Sequence, residues 1–163
     1  MRVLVYDTHS YDRTFLEAAN AGVHRLEYTT AQLDAQTAAL AEGYEAVCLF
    51  VNDRADAAAL ERLAAGGVRL VAQRSTGFNN IDLEAAARLG VTAARVAYYS
   101  PHSVAEFAVG LLQAVNRRIH RAYNRTREFN FRLAGLLGRD LHGRTVGIVG
   151  TGRIGTVFAR ILH

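Results

Sequence analysis

Residues 1–96 alternate between short apolar runs rich in β-branched side chains and stretches of helical periodicity. The runs at residues 2–6, 24–28, 45–51, 68–73 and 91–95 predict strands, and residues 12–20, 30–41, 53–65 and 82–89 predict helices between them. Such alternation leaves few solutions. Consecutive strands separated by a helix pair side by side in the same direction, which makes a parallel sheet covered by helices. Five units of this kind suffice for one flavodoxin-like layer. Local signals set the boundaries. Phe15, Leu16 and Ala19 share one face of the first helix, Thr29 or Thr30 stands where a cap for the second would be, and Gly66, Gly67 and Gly90 follow helices in the stop position.

The rhythm changes after residue 96. Ser100-Pro101 reads as a helix cap followed by proline in the first turn, with Ser103 and Glu106 spaced as a capping box one turn on. Val104, Phe107, Ala108, Leu111, Leu112, Val115 and Ile119 then follow the i, i+3, i+4 rule for one apolar stripe, so a single helix reaching Arg127 is expected. It reads as a bridge out of the first α/β layer. Residues 129–142 read as a loop with short helical pieces, 145–149 as a strand and 153–162 as its helix.

Between that strand and helix lies Gly150-Thr151-Gly152-Arg153-Ile154-Gly155, which fits G-x-G-x-x-G. A tight turn out of the strand needs Gly150. Close approach of a pyrophosphate to the backbone needs Gly152, and close packing of helix on sheet needs Gly155. The N–H groups of a helix start favour phosphate, and Arg153 adds a charge there. The pattern thus points to a dinucleotide. The acid that holds the ribose falls about 20 residues after such a turn, so NAD and NADP are both open on these residues.

A second candidate site follows the fourth strand. In a parallel sheet, ligands sit beyond the carboxyl ends of the strands. The segment Arg74-Ser75-Thr76-Gly77-Phe78-Asn79-Asn80 leaves that end, and a Ser-Thr-Gly turn exposes successive N–H groups that suit a carboxylate. The same residues also suit a plain turn with Asp82 as the next helix cap. Tyr98 and Tyr99 leave the fifth strand and either face a ligand or pack against protein.

Composition narrows the function classes. Half of the 163 residues are hydrophobic and 21% are charged, as in a folded soluble chain. No run approaches the ~20 apolar residues of a membrane span, and no signal peptide is visible at the start. Cys48, the one cysteine, lies in an apolar run and reads as a buried small hydrophobe in a cytoplasmic protein. The net charge of +4 comes from 19 arginines and no lysine. They are dispersed, and the cluster Arg117, Arg118, Arg121, Arg125 and Arg127 reads as a solvated or subunit-pairing helix face, not a nucleic-acid surface.

Five blocks, FVND (50–53), RSTGFNNIDL (74–83), YSPHSVAEF (99–107), NRRIHRAYNRTREFNF (116–131) and TVGIVGTGRIG (145–155), together resemble the D-isomer-specific 2-hydroxyacid dehydrogenases, most closely the fermentative D-lactate branch. The resemblance implies an NAD-dependent oxidoreductase acting on a CH–OH group, converting pyruvate and NADH to D-lactate. It implies a flavodoxin-like substrate domain at residues 1–99. Residues 100–163 would be the linker helix and the truncated start of an NAD-binding Rossmann domain, with its first βα unit. By the same resemblance Thr76 and Gly77 bind the substrate carboxylate through backbone N–H groups, and Tyr99 lies by the substrate. Gly150, Gly152, Arg153, Ile154 and Gly155 form the cofactor turn. No metal is implied, no nucleic acid or membrane partner is expected, and a homodimer or higher homo-oligomer is.

Two positions depart from the family pattern: Ala97 stands where proline is frequent, and Phe107 where histidine is. The family's catalytic arginine, glutamate and histidine come after residue 163, so no catalytic residue is assigned within this chain, and the chain alone is expected to be inactive. His102, His120 and His142 read as surface histidines. The Asn116 to Phe131 block favours D-lactate over glycerate, phosphoglycerate or formate relatives. A different class is also consistent with the residues: a stand-alone carboxylate- or nucleotide-binding module built from the substrate domain.

Overall fold

Five short strands carry the apolar runs into one sheet: β1 (Arg2–Val5), β2 (Arg25–Tyr28), β3 (Ala46–Leu49), β4 (Leu70–Gln73) and β5 (Thr92–Arg95). A computed structural model describes residues 1–163. Every ladder is parallel and the order is β2-β1-β3-β4-β5, the flavodoxin-like order expected. The chain steps outward from β1 to β2, then crosses to β3 on the other side of β1. Burial explains why β1 and β3 are central. Val5, Tyr6, Val47 and Leu49 lose nearly all contact with water, together with Val71 of β4 and Leu60 and Leu63 of a covering helix. Near-continuous apolar runs suit strands covered on both faces.

The connecting helices are α1 (Ser10–Asn20), α2 (Ala57–Ala65) and α3 (Leu83–Arg88). Asp56 caps α2 by accepting the Ala59 N–H at 3.0 Å, and Asp82 caps α3 through Ala85 at 2.9 Å. Three expectations need correction here. Residues 30–41 form no α-helix, only a 3-10 turn at Thr37–Ala41. Asp34 Oδ1 accepts the N–H groups of Gln36 and Thr37, and the Thr37 hydroxyl donates to Gln32 O. These local bonds offer the backbone an alternative to the helix. The helix expected from residue 53 starts at Ala57, because the Asp53 carboxylate is buried holding other backbone groups. The apolar face of α1 is not core: no residue of α1 is buried and Phe15 stands 73% exposed.

The chain divides into two compact units, Met1–Tyr99 and Ser100–His163. In the second, Ser100 Oγ accepts the Ser103 N–H and Pro101 opens α4 (Pro101–Asn116), so Ser103 supplies a donor in place of a second cap. The single long helix is not found. It breaks at Arg117-Arg118, with Arg118 at φ +54°, and resumes as α5 (Ile119–Arg127). Beside the break, Asn116 pairs with the backbone of Arg139 in both directions, at 2.7 and 3.2 Å. The last helix, α6 (Arg153–Leu162), packs on α4 and buries Val157. Residues 145–149 form no strand. A β-strand is defined by its ladder, and here that segment has no neighbour to bond. No helix is long and apolar enough to cross a membrane.

Candidate active site

The loop after β4 is tied at both ends and open at its tip. Gln73 Nε2 donates to Ser75 Oγ at 2.9 Å, and that hydroxyl donates to Gly77 O at 2.8 Å. Asn80 Nδ2 donates to Phe50 O at 3.1 Å and Asp53 O at 2.9 Å, pinning the loop's far end to the turn after β3. Arg95, at the end of β5, donates to Thr76 O at 3.0 Å and lies over the Phe78 ring. What these bonds leave free are the N–H groups of Thr76 and Gly77, which donate to no protein acceptor. The Thr76 hydroxyl is buried and also without a partner.

These donors border a cleft of about 780 Å³ beyond the carboxyl ends of β3 and β4, lined by Phe50, Val51, residues 73–77, Asn79, Asn80, Val96 and Tyr99. Thr76, Gly77 and Tyr99 are thus brought to one cleft. Tyr99 is 54% exposed at its edge. Two free backbone N–H groups suit a small anion, and the apolar lining suits a short carbon chain. No histidine lines the cleft, and His102, His120 and His142 are exposed.

Beneath the loop lies a polar cluster. Asp53 is 1% exposed and accepts the N–H groups of Leu33 and Phe50, each at 2.6 Å. Burial pushes its carboxyl above the usual range, the two N–H bonds oppose this, and Asp7 adds to the rise. Cys48 is half-buried, not fully buried as expected. Burial raises its thiol while neighbouring Arg74 opposes the rise. No group of His, Cys, Asp and Glu side chains is placed to hold a metal ion.

In the second unit the glycine turn has the shape its spacing requires. Gly150 takes φ +97°, a left-handed conformation that side chains resist. A Cβ on Gly155 would collide with the Gly150 carbonyl oxygen, so helix and turn touch there. A Cβ on Gly152 would meet nothing within 4 Å. Gly152 caps α6, and its carbonyl accepts both the N–H and the hydroxyl of Thr156 at 2.9 Å. The N–H groups of Arg153, Ile154 and Gly155 belong to the first turn of α6, where helices have no internal acceptors. Open space at Gly152 beside that positive helix end fits a dinucleotide pyrophosphate.

Sequence reasoning missed the structural parts of Asp53, Asn80 and Arg95. Only the Asn79-Asn80 pair carried a signal, as a turn, and nothing in it says which carbonyls the amide would reach.

Residues 3–134 match the D-isomer specific 2-hydroxyacid dehydrogenase catalytic domain, and residues 109–163 match the NAD binding domain of the same family. A 2-hydroxyacid dehydrogenase homolog of Haemophilus influenzae is 52% identical over 99% of this chain and 49% of its own length. The D-lactate dehydrogenase of Escherichia coli is 47% identical, again over 99% of this chain and 50% of its own. The apo-structure of D-lactate dehydrogenase from Escherichia coli superposes with a TM-score of 0.94 at 47% identity, covering 99% of this chain and 52% of that one. The chain spans about half the length of the curated relatives it matches.

Proposed function

Because this chain belongs to the D-isomer-specific 2-hydroxyacid dehydrogenase family, we propose that it carries the substrate-binding part and the start of the cofactor site of an NAD-dependent D-lactate dehydrogenase. The single observation that carries the reading is the turn at Thr76 and Gly77, whose unspent N–H groups border the cleft. In the proposed complex they hold the carboxylate of pyruvate. Arg95 holds the Thr76 carbonyl on the other side of the turn, and no acid lines the cleft to compete for the donors. Phe50, Val51 and Val96 exclude water from the short carbon chain, and Tyr99 bounds the substrate on the open side.

Gly150, Gly152, Arg153, Ile154 and Gly155 hold the pyrophosphate at the start of α6. When bound, the nicotinamide supplies or accepts the hydride. Proton transfer to the substrate oxygen needs an acid within hydrogen-bond reach. None of the cleft's lining side chains is a histidine or carboxylic acid, so the cleft itself supplies no such acid. In this reading Met1–Tyr99 is the substrate domain and Ser100–His163 begins the NAD-binding domain. The enzyme works as a homodimer or higher homo-oligomer. The exposed apolar residues Phe107, Leu111, Val115 and Ile119 of α4 and α5 support that, as does the arginine-rich face of α5. The cytoplasm is the simplest setting for a chain with a single cysteine.

Steady-state assays of the full-length enzyme with NADH across small 2-keto acids test the reading. Pyruvate is expected to give the highest kcat/KM. Inert pyruvate alongside rapid turnover of hydroxypyruvate would move the substrate assignment to glycerate chemistry.

A further inference from the structure

The side chain of Arg74 turns back from the loop it begins. Arg74 follows β4, yet its Nη1 donates to Tyr6 O at 3.1 Å and its Nη2 to Asp7 O at 3.0 Å, both just past the end of β1. β3 lies between those strands, so the side chain bridges two strand spacings, roughly 9–10 Å. It crosses the sheet end above Cys48 and passes 5.1 Å from the Phe50 ring. Its side chain is 10% exposed, and Nε faces Asp12 Oδ1 at 3.8 Å, too far for a hydrogen bond.

The carbonyls it reaches have a particular need. β1 stops at Val5, and Asp7 turns sharply away with φ +45°, a conformation a non-glycine residue holds only when its surroundings require it. A forked guanidinium can satisfy two carbonyls at once and fix its own Cα against them, which a lysine ammonium cannot do in the same geometry. Two residues after that Cα comes Thr76, and then Gly77. The other ties on the loop reach β3 and β5. Arg74 alone ties it to β1.

We propose that Arg74 is a positioning residue: its fork, clamped on the Tyr6 and Asp7 carbonyls and flanked by Asp12, sets the aim of the Thr76 and Gly77 N–H groups that receive the substrate carboxylate. This rests on the carboxylate reading of that turn. It adds that Arg74 acts through backbone geometry and not by attracting the anion through space.

The test compares Arg74→Met, Arg74→Lys and Gly77→Pro in the full-length enzyme. The readouts are kcat and KM for pyruvate, the inhibition constant of oxamate (a non-reacting analogue of similar shape), NADH affinity and thermal stability. A donor held slightly off its line weakens ground-state and transition-state binding alike. Arg74→Met should therefore raise pyruvate KM and the oxamate constant roughly ten- to hundredfold, with kcat changed less than about threefold and NADH affinity unchanged. Arg74→Lys keeps the charge but not the fork, and should show most of the same rise. Its measurement also decides the matter if Arg74→Met does not fold. Wild-type KM in Arg74→Lys overturns the inference, since charge alone would then suffice. So does a loss of kcat and stability at unchanged KM, the mark of a merely structural arginine. Gly77→Pro deletes one donor. If it raises KM while the Arg74 variants do not, only the positioning role fails. If it too leaves KM unchanged, the carboxylate reading fails with it.

Discussion

Gly152 and Gly155 lie three residues apart in one turn, and alanine at each should fail in opposite ways. At Gly155 the added Cβ would strike the Gly150 carbonyl oxygen and lie 3.1 Å from the Gly150 carbon. Both neighbours are backbone, so relief requires α6 to shift or the turn to open. Overpacking of this kind costs about 1–3 kcal/mol. At ~2–4 °C per kcal/mol for a domain of ordinary size, Gly155→Ala should lower the melting temperature of the ligand-free enzyme by about 2–12 °C. At Gly152 the added Cβ meets nothing within 4 Å and φ is −72°, which any residue adopts. The fold loses at most about 1 kcal/mol of N-cap preference. The cofactor loses more, because the methyl group occupies the space through which a phosphate reaches the first N–H groups of α6. Losing one charge-assisted hydrogen bond costs about 1.5–3 kcal/mol, or roughly tenfold or more in NADH affinity. Thermal melts without cofactor and fluorescence titration with NADH separate the two effects. Wild-type NADH affinity in Gly152→Ala would refute the phosphate-cradle argument. A wild-type melting temperature in Gly155→Ala would refute the packing argument.

Three further outcomes are expected. Because burial raises the Asp53 carboxyl in the folded state, its contribution is fully present below the unfolded pKa and is lost as pH rises through the folded one. The stability advantage of wild type over Asp53→Asn, from urea melts across pH, should therefore shrink from acid toward neutral pH. An advantage that grows would mean the Leu33 and Phe50 N–H bonds outweigh burial. Arg118 sits at φ +54° in the αL region, which costs an ordinary residue about 1–2 kcal/mol. Arg118→Gly should raise the melting temperature, and a lower one would show that the side chain repays the strain. In the 163-residue chain, amides 145–149 have no ladder partner and should exchange with solvent far faster than those of Val47 and Val71. Equal protection would reveal a strand pairing absent from this structure.

The five strands were legible because apolar, β-branched runs bounded by glycine and acidic caps leave little local ambiguity. The caps Asp82 and Ser100 were legible for the same reason: each acts on a residue three positions away. What stayed hidden depends on distant partners. Asp53 looks like a helix start until Leu33, twenty residues earlier, brings it an N–H. The break at Arg117-Arg118 has neither glycine nor proline to announce it, and accompanies the pairing of Asn116 with Arg139. Residues 145–149 have a strand's composition, but composition supplies no neighbour. In the candidate site the Thr76-Gly77 turn was visible as a donor-rich turn. Arg74's reach to residues 6 and 7 was not, because only the strand order brings them within range.

The strand order also sets a timetable for synthesis. β1 leaves the ribosome before the other four strands of this sheet, yet it lies between β2 and β3 and pairs Val3 with Ala46. At about 5–20 residues per second, its second neighbour arrives roughly 2–9 s after β1 itself. Throughout that interval Val3, Leu4, Val5 and Tyr6, all buried in the finished sheet, form an unsheltered apolar strand with one open edge. Slower synthesis across this interval is therefore expected to lower the yield of the native protein.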